Sequence, residues 1–299
     1  MKICVLLSTY NGERYLEEQL ESLVTQENIN LDILVRDDGS SDSTCKILDE
    51  WQNKGLLKWY SGGNKGFGMS FMDLVQNSGD YDYYAFCDQD DIWLPNKMKV
   101  AISHLQEMGT SPSLYFSNLT YWKDGVTYGN VKSEGLFFDY YTCLIQCQAY
   151  GCTMVFNHEL AKIIKEHLPQ DIYAHDFWVY QTAILLGSVF YDKESYIFYR
   201  QHQNNVIGAK MSFSERWERR IKKSLPKLMQ NHKLEYSAKE LLVCYGNLLS
   251  PECKKAVETV ACYRQSIFNY LKLLLSTKFR MNSVTNTLIF KLKVLICKI

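Results

Sequence analysis

The 299-residue sequence holds ten cysteines and not one Cys-x-x-Cys pair. Its closest trio, Cys143, Cys147 and Cys152, has no matching cluster of further ligands, which argues against a structural zinc site. Several cysteines sit inside apolar runs, as Cys4 does in Ile3-Cys4-Val5-Leu6 and Cys87 after Ala85-Phe86. Reduced, buried thiols of a cytosolic protein are expected there rather than disulfides. Long apolar runs are lacking too. Met1-Lys2 leads straight into a strand-length segment, too short for a signal sequence or a membrane span, so a secreted protein is not expected. Net charge is absent, with Lys+Arg and Asp+Glu both totalling 33, and no nucleic-acid partner is implied. A dinucleotide fingerprint is missing: Gly63-x-x-Gly66-x-Gly68 lacks the G-x-G-x-x-G order and follows the wrong strand. Acidic residues are missing from Thr259 to Ile299, which leaves that end basic and apolar. What is present is 46% apolar and 14% aromatic content, enough for a substantial core.

The first half alternates between short apolar runs and helical periodicity. Lys2–Leu7 reads as a buried strand ended by Ser8-Thr9-Tyr10-Asn11-Gly12, and Glu13–Thr25 as a helix with Leu16, Leu20, Leu23 and Val24 on one face. Leu31–Val35 is a second strand, closed by Asp37-Asp38-Gly39-Ser40, and Asp42 can cap a helix reaching Trp51. Leu56–Tyr60 gives a third strand, Phe67–Gln76 a helix and Tyr83–Cys87 a fourth strand. This order predicts an α/β fold with a parallel sheet covered on both faces, and ligands bind such sheets beyond the carboxyl ends of the strands. The fourth strand ends in Asp88-Gln89-Asp90-Asp91, followed by Ile92-Trp93-Leu94-Pro95. Three carboxylates that close repel one another unless a positive charge lies between them, and hard oxygen ligands suit Mg2+ or Mn2+. A solvated acidic turn capping a helix at Pro95 is the plainer reading of an isolated D-x-D-D. Its place in the β/α series, with Asp37-Asp38 on a neighbouring turn, favours a site.

These segments resemble family 2 glycosyltransferases of the GT-A fold, in particular the bacterial rhamnosyltransferases of cell-surface polysaccharide synthesis. The resemblance rests on Leu7-Ser8-Thr9-Tyr10-Asn11-Gly12, Gln19-x-x-Ser22-Leu23-x-x-Gln26, Arg36-Asp37-Asp38-Gly39-Ser40-Ser41-Asp42 and Phe86-Cys87-Asp88-Gln89-Asp90-Asp91-Ile92-Trp93. It continues through Gly151-Cys152-Thr153-Met154, His175-Asp176-Phe177-Trp178 and Tyr199-Arg200-Gln201-His202-Gln203-Asn204-Asn205. Together these motifs keep the family's order over roughly the first two-thirds of the chain. The resemblance implies that Thr9, Asn11, Asp37 and Asp38 hold the nucleotide, Asp38 meeting the pyrimidine, and that Asn64 and Gly66 form the family's N-x-G turn beside it. It implies Asp88 near ribose or metal, Asp90 as metal ligand, His202 completing the metal site and Asp176 as general base. Gly151, Cys152 and Thr153 fall where the acceptor or sugar pocket is expected; Trp93 and Trp178 could stack on a sugar there, though core packing is the commoner fate of such residues. The chain departs from the family at Ser70-Phe71-Met72, where many members have Ala-Arg-Asn; Lys65 or Arg200 would then supply the cationic contact to the donor.

The chemistry asks for this set. A departing nucleoside diphosphate gains charge as the anomeric bond breaks, and a divalent ion stabilises it as a Lewis acid. One carboxylate can take the proton of the incoming hydroxyl, and a single placed base favours displacement with inversion. Asp176 could equally cap the helix that follows it, or do both. His202 lies in a loop polar on both sides, which suits a ligand better than a core histidine. Past Asn205 the composition changes to a basic stretch, Arg216, Arg219, Arg220, Lys222, Lys223 and Lys227, then to helical periodicity in Glu235–Asn247 and Ala256–Leu275. The final segment sets Leu288, Ile289, Leu292, Leu295, Ile296 and Ile299 on one side, with Lys291, Lys293 and Lys298 around them. Such a helix suits a membrane headgroup region, its lysines reaching to anionic phosphates; the alternative is packing on the catalytic domain or on a second subunit of a homo-oligomer. The expected organisation is a GT-A catalytic domain over residues 1–205 and a helical appendage over 206–299. The expected activity is inverting, metal-dependent transfer of rhamnose from dTDP-L-rhamnose to a lipid-linked saccharide, peripherally on the cytoplasmic face of a bacterial plasma membrane, in capsule or cell-wall synthesis. Donors such as UDP-galactose or UDP-glucose, and a non-catalytic glycan-assembly subunit, stand as alternatives. A nicotinamide-dependent reductase is disfavoured by the missing glycine fingerprint.

Overall fold

A computed structural model describes residues 1–131, 136–201 and 233–299. The chain divides into two compact units, one of Met1–Ser133 with Ala149–Arg200, the other of Glu134–Gln148 with Gln201–Ile299. The expected boundary at residue 205, His202 and the basic stretch from Arg216 to Lys227 lie outside the described residues.

The first unit is built on one nine-stranded sheet. Strand β1 (Ile3–Thr9) lies between β2 (Asp32–Asp37) and β4 (Tyr83–Cys87), parallel to both, and β3 (Lys58–Ser61) extends the sheet beyond β2. Because it is flanked on both sides, β1 is apolar almost throughout, and Ile3 to Leu7 are buried. Strands β1 to β4 are parallel as expected, and beyond β4 the mostly parallel sheet turns mixed. The three-residue β8 (Val155–Asn157) runs antiparallel to both β4 and β6 (Ser113–Lys123), and β9 (Ser188–Arg200) lies parallel to β6. Strand β5 (Ile92–Trp93) pairs antiparallel with β9, and β7 (Val126–Asn130) antiparallel with β6. Six strands therefore share one direction and three oppose it.

Helices α1 (Leu16–Val24), α2 (Thr44–Asn53), α3 (Gly66–Asn77) and α4 (Lys97–Glu107) follow in the first half, with α5 (His158–Glu166) and α6 (His175–Leu186) after β8. Strand β3 begins two residues later than the apolar run suggests, because the left-handed Gly55 (φ 73°) turns the chain and leaves Leu56 exposed. Asp42 caps α2 as expected, its Oδ1 accepting from the Thr44 backbone N–H at 3.0 Å. Helix α1 buries Gln19 and Ser22 along with its leucines. Ser22 Oγ accepts from Trp93 N at 3.1 Å; just past the helix, the Gln26 amide donates to Leu94 O at 2.9 Å and accepts from Met98 N at 3.1 Å. This polar edge braces the segment that follows the acidic turn.

The second unit contains α7 (Lys233–Tyr245), α8 (Pro251–Ala261), α9 (Ile267–Leu275) and α10 (Val284–Leu295). The periodic segment Ala256–Leu275 is two helices rather than one, since Ser266 caps α9 through Asn269 N. Leu241, Tyr245, Val260, Leu273, Phe290 and Val294 are buried. Buried Glu235 pairs with Arg264 and Lys239. The segment 136–148 belongs here: Asn282 N donates to Gln146 Oε1 at 2.9 Å, and Tyr141 meets Phe279 edge-on. Nothing in the periodicity signals that participation.

Candidate active site

The carboxyl ends of β1, β2 and β4 lie side by side, Thr9 opposite Asp37 and Leu7 opposite Cys87. Thr9 is buried and donates its hydroxyl to Asp37 Oδ2 at 2.9 Å. Asp37 Oδ1 also accepts the N–H groups of Gly39 and Ser40 at 3.0 and 2.8 Å, closing a turn that needs Gly39 at φ 91°. Asp38 accepts from the Arg36 guanidinium and from the backbone N–H groups of Lys65 and Gly66 at 2.9 and 3.0 Å. Both carboxylates are thus engaged within the protein: Asp37 shapes the β2 turn, and Asp38 ties the start of α3 to it. Asn11, left-handed at φ 49°, accepts from Ser41 N at 2.8 Å, and exposed Asn64 accepts from Gly66 N at 3.1 Å. Arg36 is itself buried, donating to Gly63 O at 2.9 Å and Ser70 Oγ at 3.0 Å.

The acidic turn is clamped from two sides. The Gln89 amide accepts from Tyr10 N at 2.8 Å and donates to Tyr10 O at 3.1 Å, joining the β4 and β1 turns. A Cβ at Gly12 would meet Gln89 Oε1 at 2.3 Å, so this approach requires glycine. On the other side, Arg200 donates its backbone N–H to Asp91 Oδ1 at 3.1 Å and its Nε to Asp90 O at 2.8 Å. Asp88 and Asp90 are half-buried and Asp91 fully buried. Burial, then the charges of Asp90 and Asp176, pushes Asp88 up to about 7, while Lys97 pulls it down. Burial likewise drives Asp91 well above the usual carboxylate range, with Asp90 and Asp88 adding to it. Lys97 is wholly buried with its Nζ 3.2 Å from the centre of the Trp93 ring, and burial lowers it to about 8.

Among the described residues, ligand atoms of Asp88, Asp91 and Cys152 lie within 4.8 Å of one another. Asp91 Oδ2 is buried without a hydrogen-bond partner. Mutually repelling carboxylates and an orphaned oxygen fit a hard divalent cation. The Cys152 thiol does not, since burial holds it protonated and sulfur is a soft ligand. The tight group joins Asp88 to Asp91 rather than to the expected Asp90, whose charge nonetheless acts on both.

Asp176 lies in the first turn of α6. It accepts from Phe177 N at 2.7 Å and from the Gly151 N–H, yet burial outweighs these bonds and raises it to about 6. Its charge adds to the rise at Asp88. His175 is stacked on Phe71, ring centres 3.9 Å apart, and burial pushes it down to about 3, which keeps it neutral. A Cβ at Gly151 would approach His175 Nε2 to 2.4 Å, a second position that only glycine fits.

The β2 turn and the acidic turn both lie within residues 4–156, which match the model described as glycosyl transferase family 2. The chain belongs to that family. It is 33% identical over 228 residues to the dTDP-rhamnosyl transferase RfbG of Shigella flexneri, covering 71% of this chain and 77% of that protein. Among solved structures it is similar to S. aureus TarS 1–349 in complex with UDP-GlcNAc (TM-score 0.60, 18% identity, 93% of this chain and 78% of that one). It is also similar to the mannosyltransferase PcManGT from Pyrobaculum calidifontis in complex with GDP-Man and Mn2+ (TM-score 0.57, 13% identity, 99% and 86%). These two likenesses establish the GT-A-like fold.

Of the expected site residues, Thr9, Asn11, Asp37, Asp38, Asn64, Gly66, Asp88 and Asp90 sit at or just past the carboxyl ends of β1 to β4, and Asp176 lies in the first turn of α6. Trp93 and Trp178, expected at a sugar pocket, are 2% and 1% exposed and pack in the core, offering no ring face. Gly151, Cys152 and Thr153 are buried as well, forming the turn that holds Asp176. Of the two expected substitute cations, Lys65 pairs with Asp73, and Arg200 pairs with Glu18 while holding Asp90 O in the acidic turn. Sequence reading passed over Arg36, Gln89 and Lys97. Arg36 and Gln89 stood inside quoted motifs, but their roles depend on contacts across the sheet, which spacing along the chain does not show.

Proposed function

We propose that this family 2 glycosyltransferase transfers rhamnose with inversion from dTDP-L-rhamnose, in the presence of Mg2+ or Mn2+. The observation that carries the reading is one buried carboxylate, Asp176, held by two backbone N–H groups and acting through its charge on Asp88 of the acidic turn. Raised to about 6, Asp176 is largely ionised at neutral pH and is a stronger base than an ordinary carboxylate. The N–H groups of Gly151 and Phe177 fix its direction, so it can take the acceptor hydroxyl proton as the new bond forms. Asp88 and Asp90, with Asp91 behind them and His202 completing the set, would hold the divalent ion. When bound, that ion supplies positive charge to the departing nucleoside diphosphate. Asp38 and Asp37 keep the base and ribose side of the site in shape. The identity to RfbG supports rhamnose as the donor sugar. The acceptor in this reading is a lipid-linked saccharide of capsule or cell-wall synthesis, met peripherally at the cytoplasmic face of the bacterial plasma membrane; the basic, apolar C-terminus supports that location.

The test is donor hydrolysis by purified protein over a panel of nucleotide sugars, with Mn2+ or EDTA, for wild type and Asp90→Ala. Metal-dependent release of dTDP from dTDP-rhamnose alone, lost in the variant, is expected. Turnover of UDP-galactose or UDP-glucose instead would replace the donor and leave the reaction class. No hydrolysis, together with no nucleotide binding by calorimetry, would favour a non-catalytic assembly subunit.

A further inference from the structure

Helices α9 and α10 carry apolar residues on both sides. Their inner faces are accounted for, since Leu273, Phe290 and Val294 are buried within the second unit. Their outer faces are not. Ile267, Leu271 and Leu275 recur every four residues along α9, with Phe268 beside them 81% exposed. Val284, Leu288 and Leu292 do the same along α10, Val284 being 79% exposed. Residues four apart share one side of a helix, so each helix presents a continuous stripe rather than scattered side chains. Contiguous apolar exposure of this kind marks an interaction surface.

The surrounding charge selects the partner. Thr259–Ile299 contains seven lysines and arginines and no acidic residue. Several of these cations are fixed by the fold. Lys291 donates to the carbonyls of Leu273 and Ser276 at 2.6 and 2.9 Å, so it does not reach outward as its place in the sequence suggested. Lys278 reaches the Tyr141 hydroxyl at 3.3 Å, and exposed Arg280 lies 4.0 Å over the Phe137 ring. The apolar stripes are thus flanked by a cationic loop between the helices. Apposed to a second copy about a two-fold axis, the loop cations Lys278 and Arg280 would meet their own counterparts, and Thr259–Ile299 offers no Asp or Glu side chain between them. A bilayer rich in anionic lipid offers both complements, acyl chains for the stripe and phosphates for the cations. The helices are 9 and 12 residues long, and among the described residues no helix is long and apolar enough to cross a membrane.

We propose that the outer faces of α9 and α10 form the surface on which this protein docks to an anionic lipid bilayer, lying in the headgroup region. This names the surface behind the peripheral location proposed above and does not depend on the donor sugar. The test is co-sedimentation of the full chain with vesicles of phosphatidylcholine alone or mixed with phosphatidylglycerol, for wild type and Phe268→Asp/Leu292→Asp. Both positions are exposed, so the double variant should keep its melting temperature and its vesicle-free donor hydrolysis. Wild type is expected to partition at least about tenfold more strongly onto the mixed vesicles, less so as salt is raised, with about tenfold lost in the variant. If the aspartates lower the melting temperature, Phe268→Ser/Leu292→Ser should still give a partial loss. Equal partition of wild type and both variants would overturn the proposal. So would a dimer in sedimentation equilibrium that the same substitutions dissociate while no vesicle binding occurs, since the stripe would then cover a second copy. A wild type that binds vesicles yet hydrolyses no donor would count against the transferase reading and for this surface.

Discussion

Asp176 combines two properties that usually exclude each other. Backbone N–H donors lower a carboxyl pKa, yet burial leaves this one near 6. Because the base must be ionised, kcat/KM for transfer is expected to fall as pH drops through about 6, and a pH–rate profile checks this. Asp176→Asn should lower the rate by roughly 10²–10⁴-fold and remove that limb of the profile. Stability should move the other way. A carboxyl whose folded pKa lies above its unfolded value costs stability once pH exceeds the ordinary carboxylate range, and the cost is complete above about 6. A thermal scan at pH 7.5 should therefore show Asp176→Asn melting no lower than wild type. The start of a helix at Asp176 was legible from the sequence, but its burial and the bond it accepts from the Gly151 N–H were not, since both come from residues distant along the chain. Trp93 and Trp178 took the commoner of their two readings, core packing, because residue type alone does not reveal depth.

At the scale of elements, the apolar runs foretold strands β1, β2 and β4 within a residue or two, and the turns after them are where the site lies. Strand direction left no comparable trace. The three residues of β8 reverse the sheet next to β4, and no periodicity in so short a segment distinguishes parallel from antiparallel pairing. The polar residues of the α1 segment were legible as a motif but not as a brace. Gln26→Ala would leave Met98 N and Leu94 O without their partner, costing about 1–3 kcal/mol, measurable by denaturant unfolding. Since those bonds hold the segment after Asp91, weaker Mn2+ binding by calorimetry should accompany the loss. Gly12→Ala tests the opposite end of the same turn. Its new methyl would displace the Gln89 amide from Tyr10, and slower donor hydrolysis with little change in melting temperature is expected.

The second compact unit joins Gln201–Ile299 to a mid-chain segment, Glu134–Gln148. Cys143, Leu144 and Ile145 come from mid-chain and are fully or almost fully buried, within a segment that belongs to the C-terminal unit. A protein truncated after Arg200 should therefore expose them and lose its monomeric peak in size-exclusion chromatography, even with the whole sheet retained. The same arrangement imposes an order in time. Tyr141 and Gln146 leave the ribosome well before their partners Phe279 and Asn282. At translation rates of roughly 5–20 residues per second, that is a wait on the order of ten seconds. During it the sheet-forming residues up to Arg200 are already out, while an apolar stretch between two of their strands stays uncovered. The nascent chain is thus most exposed to aggregation and to chaperones after its catalytic residues have been made, and it is relieved only when its last helices emerge.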